Sequence, residues 1–195
     1  INMLFFKFED DAAGRRIADA LIRKSEEGVL VRLIYDDAGN LMVPRRFYRK
    51  LRKHGIQVRG FIRIFLPILS RDYNSRNHRK VVVIDGRVGY MGGMNIAQRY
   101  AEGLKWGIWR DTHMRITGPA VSELQTSFLT DWKFTKGDEP DLAPMYPYNP
   151  PCGNTLMQIV TGGPMDKWNV MMQAYMTAIA SARHHAYLQS PYFIP

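Results

Sequence analysis

A single cysteine, Cys152, stands in the whole chain, so an internal disulfide and a cysteine-based zinc site are both excluded, while the redox compartment stays open. Long apolar runs are missing too. No stretch approaches the roughly 18 uninterrupted apolar residues that a membrane span requires, and the first residues lack the basic-then-apolar pattern of a secretory leader. These residues are therefore expected to be soluble or peripheral. Acid is absent from the whole interval between Asp37 and Asp72, whereas Arg45, Arg46, Arg49, Lys50, Arg52, Lys53, Arg59, Arg63 and Arg71 all fall inside it. Such a block attracts anions, phosphate-rich surfaces among them. A solvated helix face would look the same, because Pro44 can start a helix that carries Phe47, Tyr48 and Leu51 inward. What is present is 195 residues with a formal net charge of +9 and 46% hydrophobic content. That balance excludes a disordered tail, a collagen-like fibre and a disulfide-stapled miniprotein. One domain of about 150 residues plus a remainder is expected at this length. Both ends fall inside apolar runs, residues 1–8 and 187–195, and the chain reads as a piece of a longer one.

Residue types alternate along the chain. Residues 2–8 read as a strand, and Asp10 or Asp11 caps a helix to about Glu27, with Ile17, Ala20 and Leu21 inward, that Gly28 stops. Residues 29–35 read as a buried strand, 44–54 as a helix ended by Gly55, and 56–61 as a further strand. This β-α-β-α-β order predicts a layered α/β domain whose sheet is largely parallel. After a loop with Pro67, Lys80–Ile84 and residues 87–91 flank Asp85-Gly86 as a hairpin. A strand over 109–116 and a helix over 119–134 follow. Pro140, Pro144, Pro147, Pro150 and Pro151 mark residues 138–154 as a linker. Beyond it come a strand over 156–161, a Gly162-Gly163-Pro164 turn, a helix over 168–182 and a strand over 187–193. A loose echo relates Met3, Leu4 and Phe8 to Leu188, Gln189 and Phe193 at a constant offset. Residues 1–137 are thus expected to form a first domain, and 155–195 the truncated start of a second copy.

The chemistry concentrates in Asn77-His78-Arg79-Lys80-Val81-Val82-Val83-Ile84-Asp85, followed by Gly92-Gly93-Met94-Asn95. On a strand, residues i and i+2 share a face, so His78 and Lys80 project together. An imidazole beside an ammonium suits an anionic phosphorus centre: the first attacks or shuttles a proton, and the second neutralises charge building on the oxygens. Gly92-Gly93 lets the backbone pass closely, and the Asn95 amide could donate to the same oxygens. A lone His beside a Lys is ordinarily a surface pair. The spacing His-x-Lys-x4-Asp with Gly-Gly-x-Asn behind it is far more specific, and no second His-x-Lys occurs in the chain. Other candidates carry less. His184-His185 point apart at a helix end, so no metal site is expected, and no cofactor is implied. His113 shares a strand face with Asp111, where packing and catalysis are equally open, and Met171, Met172 and Met176 read as core filler.

The full pattern resembles the signature of the phospholipase D superfamily, which is named for its His, Lys and Asp. Several flanking segments are similar to bacterial cardiolipin synthases: Phe8-Glu9-Asp10-Asp11, Tyr35-Asp36-Asp37, Tyr73-Asn74-Ser75-Arg76, Trp109-Arg110-Asp111-Thr112-His113, Gly118-Pro119-Ala120-Val121 and Gln189-Ser190-Pro191-Tyr192-Phe193-Ile194-Pro195. The resemblance covers nearly the whole chain and is weakest in the proline stretch. It implies a phospholipase D-like α-β-α sandwich with a mixed, largely parallel sheet, and two motifs per polypeptide, the second lying beyond Pro195. By resemblance His78 is the nucleophile that becomes a phosphohistidine, the other motif's histidine is the general acid, and Lys80 and Asp85 complete the signature. Asp111 is the candidate partner that orients His78, and Asn95, Lys80 and Gly93 are the candidate phosphate contacts. Asp85, at a turn five residues from Lys80, is better suited to bracing the hairpin. The implied reaction joins two phosphatidylglycerol molecules into cardiolipin and glycerol at the bacterial cytoplasmic membrane, with phosphatidylglycerol and the anionic phospholipid surface as partners. Two alternatives stay open. One is a superfamily phosphodiesterase or nuclease whose single-motif chains pair as homodimers; the other is a half that binds anionic lipid without catalysis. The isolated half is expected to be inactive unless two copies pair.

Overall fold

In the computed structural model the described residues are 1–62, 76–163 and 169–189. The Pro67 loop, Arg63, Arg71, Tyr73 to Ser75, Pro164, Trp168 and residues 190–193 of the expected last strand lie outside them. The chain divides into two compact units, Ile1–Ile159 and Val160–Pro195.

The first unit contains β1 (Asn2–Phe5), α1 (Ala12–Glu26), β2 (Arg32–Tyr35), α2 (Arg45–Lys53), β3 (Gln57–Gly60), β4 (Lys80–Ile84), β5 (Val88–Gly92), α3 (Gln98–Glu102), β6 (His113–Thr117) and α4 (Ala120–Phe134). Its six strands form one sheet in the order β3-β2-β1-β4-β5-β6. β1, β2 and β3 pair in parallel because a helix carries the chain back between them. From β1 outward to β4, β5 and β6 every pairing is antiparallel. The sheet is mixed, and the expectation of a largely parallel one holds for only two of its five interfaces. One of the three antiparallel interfaces, β4–β5, comes from the tight turn at Asp85-Gly86. Both residues have positive φ, 54° and 62°, and the Arg87 N–H donates to the Ile84 carbonyl at 3.0 Å, so the chain reverses with no room for a crossover.

Alternation along β1 assigns the layers. Met3 and Phe5 join a core with Leu21 and Ile22 of α1 and with Phe47 and Leu51 of α2, while Leu4 and Ile34 pack against Phe128 and Trp132 of α4. Helices therefore cover both faces. The N-cap Asp11 accepts the Gly14 N–H at 2.8 Å. Gly14, Ala18, Leu21 and Ile22 form the buried stripe of α1. That stripe lies one residue further round than the sequence pattern suggested, leaving Ile17 39% exposed. The shift follows from Gly14, which presses on the Glu9 carbonyl so closely that no side chain fits there.

Residues 138–154, read above as a linker, run over the surface of this same unit. The Met145 carbonyl and the Pro147 ring press on Gly86, Asn149 Nδ2 donates to the Gly86 carbonyl at 2.7 Å, and the Thr126 and Tyr146 hydroxyls lie 3.0 Å apart. The expected strand over 156–161 is absent, since a strand exists only through neighbours that take up its backbone groups. The second unit holds one helix among its described residues, α5 (Val170–Ser181), capped by Asn169, whose side chain accepts the Met172 N–H at 3.0 Å. Met171, Met172 and Met176, expected as core filler, are exposed on it. No described helix is long and apolar enough to cross a membrane.

Two glycine substitutions separate backbone strain from contact. Gly28 has φ 89° with nothing within 4 Å of an added Cβ, so Gly28→Ala is expected to cost about 1 kcal/mol from the left-handed backbone alone. Gly86→Ala adds a collision with Met145 and Pro147 and is expected to cost about 1–2 kcal/mol more. Urea unfolding checks this through the midpoint at constant m. Equal losses would mean that residues 145–149 do not press on the turn.

Candidate active site

The chemistry-bearing residues gather at one edge of the sheet. β1, β2 and β3 end there, and β4, running the other way, begins there with Lys80 paired to Phe5. β5 ends at Gly92, opposite the start of β6 at His113. Carboxyl ends of parallel strands are where α/β sheets collect ligand-facing groups.

Residues 76–79 have neither helix nor strand, so their position depends on side chains, and two buried carboxylates hold them. Asp36, at the end of β2, accepts the Asn77 N–H at 3.0 Å and, through its other oxygen, the Gly39 N–H at 2.8 Å. Asp131 of α4 accepts Asn77 Nδ2 at 3.0 Å and the Arg79 guanidinium at 2.9 Å on both oxygens. Asn77 Oδ1 in turn accepts the Arg79 N–H at 3.1 Å. Burial pushes the Asp131 carboxyl upward, while Arg79 and Asn77 pull it down. The nucleophile candidate is thus fixed from both sides.

His78 Nδ1 and Lys80 Nζ lie 3.0 Å apart, and Nζ also donates to the His78 carbonyl. Beneath both lies Phe6, whose ring centroid is 5.5 Å from the ammonium and 4.6 Å from the imidazole. Lys80 is 4% exposed. Burial lowers its pKa to about 8, and the charge of Asp111 opposes that fall. Partial burial first, and then Lys80, also lowers the His78 pKa, against the charge of Asp36. The imidazole is therefore neutral at physiological pH while it accepts from the lysine.

Asp111 Oδ1 accepts the Thr112 N–H at 2.7 Å. Its carboxylate bears on Lys80 and His113, and it is Asp36 that bears on His78. Gly93 makes this possible, because an added Cβ there would fall onto the Asp111 carboxylate. The Gly93 N–H is taken by the Thr112 carbonyl at 2.9 Å, so this glycine offers space and no amide to a phosphate. His113 Nδ1 is buried without a hydrogen-bond partner among the described residues. Continuing the β4–β5 register puts Lys80 across from Gly92 and so in one row with His113. Asn95 is 8% exposed. Its Oδ1 takes the Lys7 N–H at 3.0 Å and its Nδ2 donates to the Tyr100 hydroxyl at 2.8 Å, which ties β1's continuation to α3. Asp85 is not brought in. It sits at the far end of β4, roughly 16 Å along the strand from Lys80, and shapes the turn through its positive φ.

Sequence reasoning passed over Asp36, Asp131, Asn77, Arg79 and Phe6 as site residues. Asp36 lay in a quoted segment without a role, and nothing local in α4 distinguishes Asp131 from any helical acid.

Residues 1–132 match the family model for the cardiolipin synthase, PLD-like domain. The chain belongs to this family. Cardiolipin synthase of Listeria monocytogenes serotype 4a is 40% identical over 198 residues, covering 100% of this chain and 41% of the relative. The major cardiolipin synthase ClsA of Bacillus subtilis is 40% identical over 202 residues with the same coverage. Cardiolipin synthase 2 of Bacillus cereus is 41% identical, with 38% of its length covered. The chain thus spans about 41% of the length of the first two curated relatives it matches. Among solved structures, Nuc of Salmonella typhimurium, a phospholipase D family member, aligns over 69% of this chain and 76% of its own at 21% identity and a TM-score of 0.47.

If Asp111 supports the charge on Lys80, Asp111→Asn lowers the lysine's pKa below about 8. The pH dependence of Lys80 acetylation, followed by peptide mass spectrometry, measures this. Half-maximal labelling is expected near pH 8 in the parent chain and at lower pH in the variant, and an unmoved midpoint would remove Asp111 from that role. A second outcome concerns the clamp. Asp131→Ala removes the carboxylate shared by Arg79 and Asn77, which is expected to cost about 1–3 kcal/mol in a urea melt.

Proposed function

We propose that this chain carries the nucleophilic half of a phosphatidyl-transfer site, in which His78 attacks the phosphodiester of phosphatidylglycerol at a bacterial membrane surface. The observation that carries the reading is the 3.0 Å contact of Lys80 Nζ with His78 Nδ1. A phosphodiester oxygen that takes over the lysine's N–H releases the ring's lone pair in the same event. The N–P bond then forms as the P–O bond to glycerol breaks, and Lys80 neutralises the charge on the non-bridging oxygens. The departing glycerol oxygen takes a proton from a general acid that these residues do not supply, assigned to a second His-Lys-Asp half or to a paired copy. A hydroxyl of a second phosphatidylglycerol then attacks phosphorus, its proton returning to the deprotonated general acid as the new P–O bond forms and the P–N bond breaks, which gives cardiolipin and restores the neutral imidazole. Asp111 keeps Lys80 protonated, and Asp36 and Asp131 hold the segment. Asp85 stands outside this chemistry and shapes the hairpin, Gly93 makes room for Asp111, and Asn95 ties the strand ends. Residues 1–137 are assigned to this first domain and 155–195 to the start of a second.

A leaving group that needs no proton isolates this half. With bis(p-nitrophenyl) phosphate, a burst of one nitrophenolate per chain is expected, with phosphorus retained on the protein after a basic quench, since phosphohistidine is acid-labile. His78→Ala should abolish the burst. Labelled phosphatidylglycerol should react about 10²–10⁴-fold more slowly for want of the acid. A burst that persists in His78→Ala would overturn the assignment.

A further inference from the structure

Beyond the motif, one cavity stands out. It measures about 430 Å³ and lies between α2 and the ends of β2 and β3, a size suited to a small polar ligand. Arg45, Arg49 and Arg52 line it from successive turns of α2. The lining also holds the stacked pair Tyr35, from β2, and Tyr48, from α2 itself, 3.9 Å apart and 6° from parallel. Arg52 is tethered, donating from Nε and Nη2 to the Val58 carbonyl at 3.2 and 3.1 Å. The one acid in the lining, Asp37, is engaged with the Tyr35 phenol, which also meets Arg52. Arg45 and Arg49, by contrast, form no ion pair among the described residues. Lys50, on another face of the same helix, pairs with Asp19 at 3.0 Å. Arg46 and Lys53 of the same helix are also without an ion pair among the described residues but lie outside the lining, so what distinguishes Arg45 and Arg49 is that they share one cavity.

We propose that this cavity is a second anion site, which holds the phosphate of an anionic phospholipid headgroup other than the one attacked at His78. The inference rests on the phosphatidyl-transfer reading for its choice of lipid. Two guanidinium groups one turn apart offer paired donors to phosphate oxygens. Asn40 joins the cavity to the active site. It lines the wall, donates to the Phe6 and Asp36 carbonyls at 2.7 Å each, and accepts the Phe8 N–H at 2.8 Å. Phe6 and Asp36 are the residues that support His78 and Asn77. An anion bound here lies on the same edge of the sheet as the nucleophile.

Calorimetric titration of the full chain tests the proposal, with dihexanoyl-phosphatidylglycerol below its micelle concentration in one arm and inorganic phosphate in the other. One equivalent of lipid is expected at this site, in addition to any at the motif, and it is expected to bind equally to His78→Ala. The exposed pair Arg45→Gln/Arg49→Gln should weaken it about 10- to 100-fold with an unchanged circular dichroism spectrum. Affinity unchanged in the double variant, or lost in His78→Ala, would overturn the site. Inorganic phosphate binding as tightly as the lipid would make this a site for free phosphate and overturn the lipid assignment. The nitrophenolate burst of the parent chain reads the other hypothesis separately: its absence, with Arg-dependent binding retained, would overturn the transfer reading alone.

Discussion

An ammonium group shut away from water must be kept charged by what surrounds it, and the active-site edge is arranged around that requirement at Lys80. Burial drags its pKa to about 8, so the lysine holds its proton near neutrality with little to spare. The Phe6 ring, the His78 carbonyl and the imidazole Nδ1 supply close contacts, and Asp111 supplies the opposing charge. Asp111 can approach only because Gly93 has no side chain, and Phe6 is available because β1 ends beside the start of β4. In the proposed transfer, this cation attracts the phosphodiester and leaves the imidazole when the anion arrives.

The switch of sheet direction at β1 makes this convergence possible. In a wholly parallel sheet the starts of β4 and β6 would lie at the opposite edge from the ends of β1 and β2. Antiparallel pairing brings Lys80, Gly92 and His113 into one row next to Phe5. The parallel part supplies carboxylates and aromatic rings from its strand ends, and the antiparallel part supplies the cation. The N-terminal end of α2, with Arg45, is set at the same edge because α2 is the crossover that leaves the end of β2 for the start of β3.

Much of this was legible in the residues. The alternation of types marks β1, α1, β2, α2 and β3, and the Asp85-Gly86 dipeptide marks the hairpin, because these depend on local periodicity and on backbone conformations that few residues adopt. The pairing of His78 with Lys80 follows from their spacing. The direction of β4 relative to β1 was not legible, since no local pattern encodes which edge a returning strand joins. The carboxylates were hidden for the same reason. Asp36 and Asp131 act on residues 41 and 54 positions away, and only the packed fold makes them neighbours. Asp111 was found by its position in Trp109-Arg110-Asp111, yet its effect falls on the lysine, a distinction that rests on fractions of a side chain's reach. The strand expected over 156–161 shows the opposite failure, where local apolar pattern is present and no described residue pairs with it.

The hold on residues 76–79 has a consequence for when this chain becomes reactive. The segment has no ladder or helical bonds of its own and takes its place only when the end of β2 and the middle of α4 are both docked. Until that happens His78 is an ordinary imidazole and Lys80 an ordinary amine, each solvated and far from the other's influence. The close approach of His78 and Lys80 is therefore a property of the packed fold, and a locally opened molecule does not hold the pair together.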